Sequence, residues 1–164
     1  MRWKDWLDHW GMKGLKLNLQ FLELEWSPTD KDKDAAWELY IELLTRIATQ
    51  PLSREDGDEA AALSSIHTLF GLTREILRRN GRGCHEFTKI AIVVLNQVIR
   101  PFTAKWHRLE LAGAFAQPEN RATFRDELTA LQTNLERYTR MLADMAGVED
   151  LTRLETTPDS PRPV

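Results

Sequence analysis

Leu15, Leu17, Leu19 and Phe21 alternate with Lys16, Asn18 and Gln20, and Leu22, Leu24 and Trp26 resume the alternation one residue out of phase. A period of two predicts a β-strand over residues 15–26, with a bulge at the phase shift. No second alternating run follows, and no Asn-Gly or Asp-Gly turn folds this one on itself. Because a strand's N–H and C=O groups need partners, the pattern predicts pairing with a second copy or another protein through Leu17, Leu19 and Phe21.

Elsewhere the period is helical. Trp3, Trp6, Leu7 and Trp10 fall at i, i+3, i+4 and i+7, which predicts a short helix over residues 2–10, ended by Gly11 and Gly14. Helix and strand together make an N-terminal arm over residues 1–28. Thr29, with Asp32 in the capping-box position, predicts the start of a helix over 30–49. Its expected buried stripe is Trp37, Tyr40, Ile41, Leu44, Ile47 and Ala48, and Pro51 follows its end. Ser53, with Asp56 three residues on, predicts a helix over 54–79 with Leu63, Ile66, Leu69, Phe70 and Leu77 inward. Asn80-Gly81-Arg82-Gly83 then reads as a turn.

A third long helix is expected over 85–115, with Phe87, Ile90, Ala91, Val94, Leu95, Val98, Phe102, Trp106 and Leu109 inward. Pro101 removes its bond to the Gln97 carbonyl and predicts a bend. Pro118 suits the first turn of a last helix. There Phe124, Leu128, Leu131, Leu135, Tyr138, Leu142 and Met145 step by alternating fours and threes, and Gly147 suits the C-terminal cap. This seam is expected to pack on Trp37, Leu44, Leu63, Phe70, Val94 and Phe102. The predicted class is all-α: an up-and-down bundle of about four long helices with an N-terminal short helix and a single β-strand. One domain is expected over residues 1–155, and residues 156–164 (TTPDSPRPV) read as a disordered tail.

Composition changes this picture little. Of 164 residues 42% are hydrophobic and 29% charged, as in an ordinary globular domain. The net charge of −3 is too small to draw nucleic acid or membrane by bulk attraction. The lone Cys84 excludes an internal disulfide, and no run resembles a signal peptide or a membrane span, so a cytoplasmic protein is expected.

No cofactor or metal is expected. Asp30, Asp32 and Asp34 resemble the opening of a calcium loop, but Ala35 stands where such a loop turns on Gly, and Ile41 where it needs a bidentate Glu. They suit instead the acidic first turn of a helix. The Glu-x-x-His spacing of di-iron bundles is absent, as are Walker, nucleophile-elbow and dinucleotide motifs.

Two segments carry candidate function. Arg79-Asn80, followed by His85 beside Arg74, Arg78, Arg82 and Lys89, resembles the Arg, polar residue and His of HEPN-type ribonucleases, which are helical bundles of similar size. The resemblance covers seven residues. It implies that Arg79 stabilises phosphate charge and His85 is the general acid or base, with two motifs meeting across a dimer and RNA as substrate. The alternative is a solvated basic turn that complements a helix end.

The second segment surrounds Pro101, where a bent helix would present Arg100, Trp106 and His107 to a ligand or partner. The alternative is a kink that wraps the helix around the core. Six Trp, three of them in the first ten residues, add Trp3, Trp6 and Trp10 as candidate partner anchors. Asp5 and Asp8 balance Arg2 and Lys4, which favours docking on the bundle itself or on a partner protein over a membrane surface. The expected function is a non-catalytic helical-bundle protein–protein interaction module, a small subunit of a larger cytosolic assembly. The alternative is a HEPN-like, metal-independent endoribonuclease acting as a dimer.

Overall fold

Thr29 opens the first long helix as its sequence predicts. In the computed structural model, which describes residues 1–154, the Asp32 N–H donates to Thr29 Oγ1 and the Thr29 N–H donates to Asp32 Oδ2, a reciprocal capping box. The expected boundary at residue 155 and the expected tail lie outside the described residues. Those residues form an all-α chain: α1 (Trp3–His9), α2 (Leu19–Leu22), α3 (Asp30–Leu44), α4 (Glu59–Asn80), α5 (His85–Val94), α6 (Arg100–Leu111) and α7 (Pro118–Ala146). Short 3₁₀ turns cover Gly81–Gly83 and Ala114–Ala116, and a π-turn over Leu95–Ile99 joins α5 to α6. Helix α3 packs chiefly on α7 and α4, and α4 on α6.

The predicted strand is not there. Asn18 caps a helical turn instead, accepting from the Phe21 N–H at 2.7 Å, and residues 19–22 are helical. The segment's backbone groups find partners within the chain. Trp3 N–H donates to the Leu24 carbonyl (2.9 Å) and Trp26 N–H to the Met1 carbonyl (2.8 Å), around an isolated antiparallel bridge between Arg2 and Glu25. Gln97 holds Lys16: its Oε1 accepts from Lys16 N–H (2.7 Å) and its Nε2 donates to the Lys16 carbonyl (2.9 Å). Alternation is ambiguous in a short apolar run, and here Leu15, Leu17, Phe21, Leu22 and Trp26 all turn partly onto the core while Leu19 is left outside.

Helix α3 is shorter and differently rotated than predicted. The hydroxyls of Thr45 and Thr49 and the Gln50 amide donate to the carbonyls of Ile41, Leu43 and Leu44, replacing the next helical turn. Its buried face is Ala35, Ala36, Leu39, Tyr40 and Leu43, with Leu44 and Ile47 partly covered and Ala48 buried. Trp37 and Ile41, expected in the core, face outward. Two fully buried alanines let α3 seat closely, so the small side chains mark the inner face.

Helix α4 begins at Asp58, whose carboxylate accepts from the Ala60 N–H, five residues later than Ser53. The intervening loop belongs to Arg125 of α7. Its guanidinium donates to the carbonyls of Ser53 (2.9 Å) and Gly57 (3.0 Å) and to Glu59 Oε1 (3.0 Å). The expected helix over 85–115 is two helices joined by the π-turn, in which the Arg100 N–H reaches back five residues to the Leu95 carbonyl. That wide turn sits directly before Pro101, which then occupies the first turn of α6. Every apolar residue predicted inward from Phe87 to Leu109 is buried or partly buried. The α7 seam is buried from Phe124 to Met145, and Gly147 takes the left-handed cap at φ 69°.

Candidate functional site

The Trp-rich N-terminus is docked on its own chain. Trp3 and Trp6 are fully buried; their indole N–H groups donate to Glu86 Oε2 and Asp144 Oδ2, each at 2.6 Å, on α5 and α7. Trp10, partly buried, reaches the same Asp144 oxygen at 3.4 Å. Trp6 stacks on Trp26 and Trp3 leans on Phe21. Leu17 and Phe21 likewise pack on the core, and among the predicted contact residues of this arm Leu19 stands out at 80% exposure. These rings act as internal anchors.

Arg79 and His85 flank the Gly81–Gly83 turn. The Arg79 guanidinium lies 3.3 Å from Glu38 on α3, and the neighbouring Asn80 amide donates to the same carboxylate at 3.0 Å. His85 is exposed at the first residue of α5, and no hydrogen bond joins it to Arg79 among the described residues. Glu38 thus engages the guanidinium that the ribonuclease reading reserves for phosphate.

The bent segment divides its three residues. Trp106 is buried, stacked on Phe115 and donating to Glu127 Oε2 at 2.8 Å. Burial pushes the Glu127 carboxyl up, but hydrogen bonds from Lys105 and Trp106, with the Lys105 charge, outweigh it and hold that carboxyl below its ordinary range. Arg100 and His107 emerge on the opposite side and line a groove with His67, Phe70 and Arg74 of α4. The His67 and His107 rings meet edge to face at 4.9 Å, and the Arg100 guanidinium lies 4.8 Å from the Phe70 ring centre. His67 and Arg74 were not singled out together by the sequence. Their signal was a spacing of seven, two helical turns, matching the seven between Arg100 and His107.

The second surface feature is on α3. Trp37 and Ile41, one turn apart, are 43% and 42% exposed, and Trp37 leans on the buried Tyr40 at 5.9 Å between ring centres. Glu38 and Glu42 border them, each already paired: Glu38 with Arg79, and Glu42 with Arg46 at 2.8 Å. Asp34, one turn before Trp37 on the same face, is exposed and has no ion pair among the described residues.

Among the described residues no group of three or more His, Cys, Asp or Glu is arranged to hold a metal ion, and no helix is long and apolar enough to cross a membrane. Asp32, from the calcium-like run, is fully buried with its oxygens taken by backbone and hydroxyl donors. No protein-family model matches this chain, and neither a curated protein nor a solved structure matches it.

Proposed function

We propose that this protein is a non-catalytic helical-bundle module that acts by binding another protein chain, as a small subunit of a cytosolic assembly. The observation that carries the reading is the pair Trp37 and Ile41, two large apolar side chains left uncovered side by side on α3. Trp buries much area with few rotatable bonds, which makes it an effective anchor at the centre of an interface. Glu38 and Glu42 are already paired, while exposed Asp34, one turn before Trp37, offers a carboxylate to a basic group of the partner. This moves the contact surface from residues 15–26, whose polar backbone is tied down internally, to the outer face of α3.

A photo-cross-linking amino acid at position 37, expressed in the source cells, tests the proposal. A discrete protein adduct, either a second copy or another chain, is expected, with none from a control probe at exposed Glu75. Equal or absent cross-linking at both positions would overturn it. Cleavage of RNA by the purified protein, abolished in His85→Ala, would replace it with the ribonuclease reading.

A further inference from the structure

We infer that the groove between α4 and α6 binds a phosphoryl group carried by a small molecule, inorganic phosphate or a phosphate monoester. The inference stands apart from the α3 contact face. Four cationic or protonatable side chains converge here from two helices: His67 and Arg74 on α4, Arg100 and His107 on α6. On each helix the pair is separated by seven residues and faces the other pair across Phe70 and Thr103. Bringing two guanidinium groups to one small groove costs Coulomb repulsion unless an anion offsets it. Among the described residues neither Arg74 nor Arg100 has a carboxylate within ion-pair distance. Glu110 sits 3.7 Å from His107 Nδ1.

The donors are held ready. Arg100 Nε donates to Asn96 Oδ1 at 3.2 Å while its guanidinium lies against Phe70, which leaves its terminal N–H groups for a ligand. Such a planar fork suits two oxygens of one phosphoryl group. Among the described residues His107 Nε2 is buried without a hydrogen-bond partner, an unmet polar group that a ligand oxygen would satisfy once the exposed His67 ring turns aside. The cavity, about 210 Å³, suits a phosphoryl group with a small substituent. Arg125 offers a contrast. It borders a larger cavity of about 460 Å³, yet its donors are taken by the Ser53 and Gly57 carbonyls and Glu59. The groove Arg residues are different: their charge faces space.

The test is titration of the full chain with inorganic phosphate and, separately, with adenosine 5′-monophosphate, read by imidazole NMR signals and calorimetry. Chloride at matched ionic strength is the control. Saturable shifts of the His67 and His107 signals are expected. Arg100→Gln should weaken affinity by about tenfold or more, the scale of losing a charge-assisted bidentate contact. Arg74→Gln, on the other helix, serves as the second variant, and circular dichroism verifies that both keep their helix content. A ligand preference separates the sources: tighter binding of phosphate marks a free-anion site, and tighter binding of the nucleotide a monoester site. Shifts that grow linearly with salt, or that match in parent and both variants, would overturn the inference. So would RNA binding with which neither small ligand competes.

Discussion

Asp32, three residues into α3, accepts a hydrogen bond from the backbone N–H of Phe87 at 2.9 Å, 55 residues along the chain. Phe87 is the third residue of α5, whose own N-cap, Cys84, makes no capping bond from its side chain. One buried carboxylate therefore starts two helices, because its second oxygen already closes the α3 capping box. Asp32→Ala should lower unfolding free energy by about 2–4 kcal/mol, the sum of a lost cap and stranded buried N–H groups. Asp32→Asn should cost less. Urea denaturation measures both, and equal stability of Asp32→Ala and parent would refute the shared cap.

The α7 seam sets the core. Leu135 is fully buried at its centre, and Leu135→Ala should cost about 2–5 kcal/mol by transfer and cavity terms together. A variant whose chemical denaturation overlays the parent's would place Leu135 outside the core.

Gln97 clamps Lys16 through both amide atoms, so Gln97→Ala should speed amide exchange at Lys16 severalfold. The Trp3 and Trp26 amides, bonded to the Leu24 and Met1 carbonyls, should stay protected in the same experiment. Unchanged exchange at Lys16 would show that the clamp does not form in solution.

Folding lowers the Glu127 pKa, so the carboxylate contributes stability above its unfolded value, about 4.3, and loses it as pH falls through the folded value. Glu127→Gln should therefore be less stable than parent at neutral pH, with the gap narrowing below about pH 4. Paired thermal melts from pH 7 to pH 3 follow it, and a gap that widens on acidification would contradict the sign.

Helix existence was legible wherever a cap and a long 3.6-residue period agreed, as at Thr29, Pro118 and the α7 seam. Rotation was not. Periodicity over α3 fits two stripes about one residue apart, and only packing distinguishes Ala35, Ala36 and Leu39 from Trp37 and Ile41. The strand was misread for a related reason. Residues 15–26 alternate, but their backbone partners outside the segment are Gln97, Trp3 and Met1, contacts no local pattern encodes. Of the site, Arg100 and His107 were legible as an unusual pair near Pro101, whereas His67 and Arg74 gained meaning only when α4 met α6.

On the proposed reading, a protein partner covers Trp37 and Ile41 in the cell. Hydroxyl-radical footprinting of the protein inside its source cells, set against dilute purified protein, addresses it directly. Oxidation of Trp37 and Ile41 should fall severalfold in the cell, while Leu111, 91% exposed on α6, should be oxidised equally in both. Equal oxidation of Trp37 in cell and dilute solution would contradict the claim.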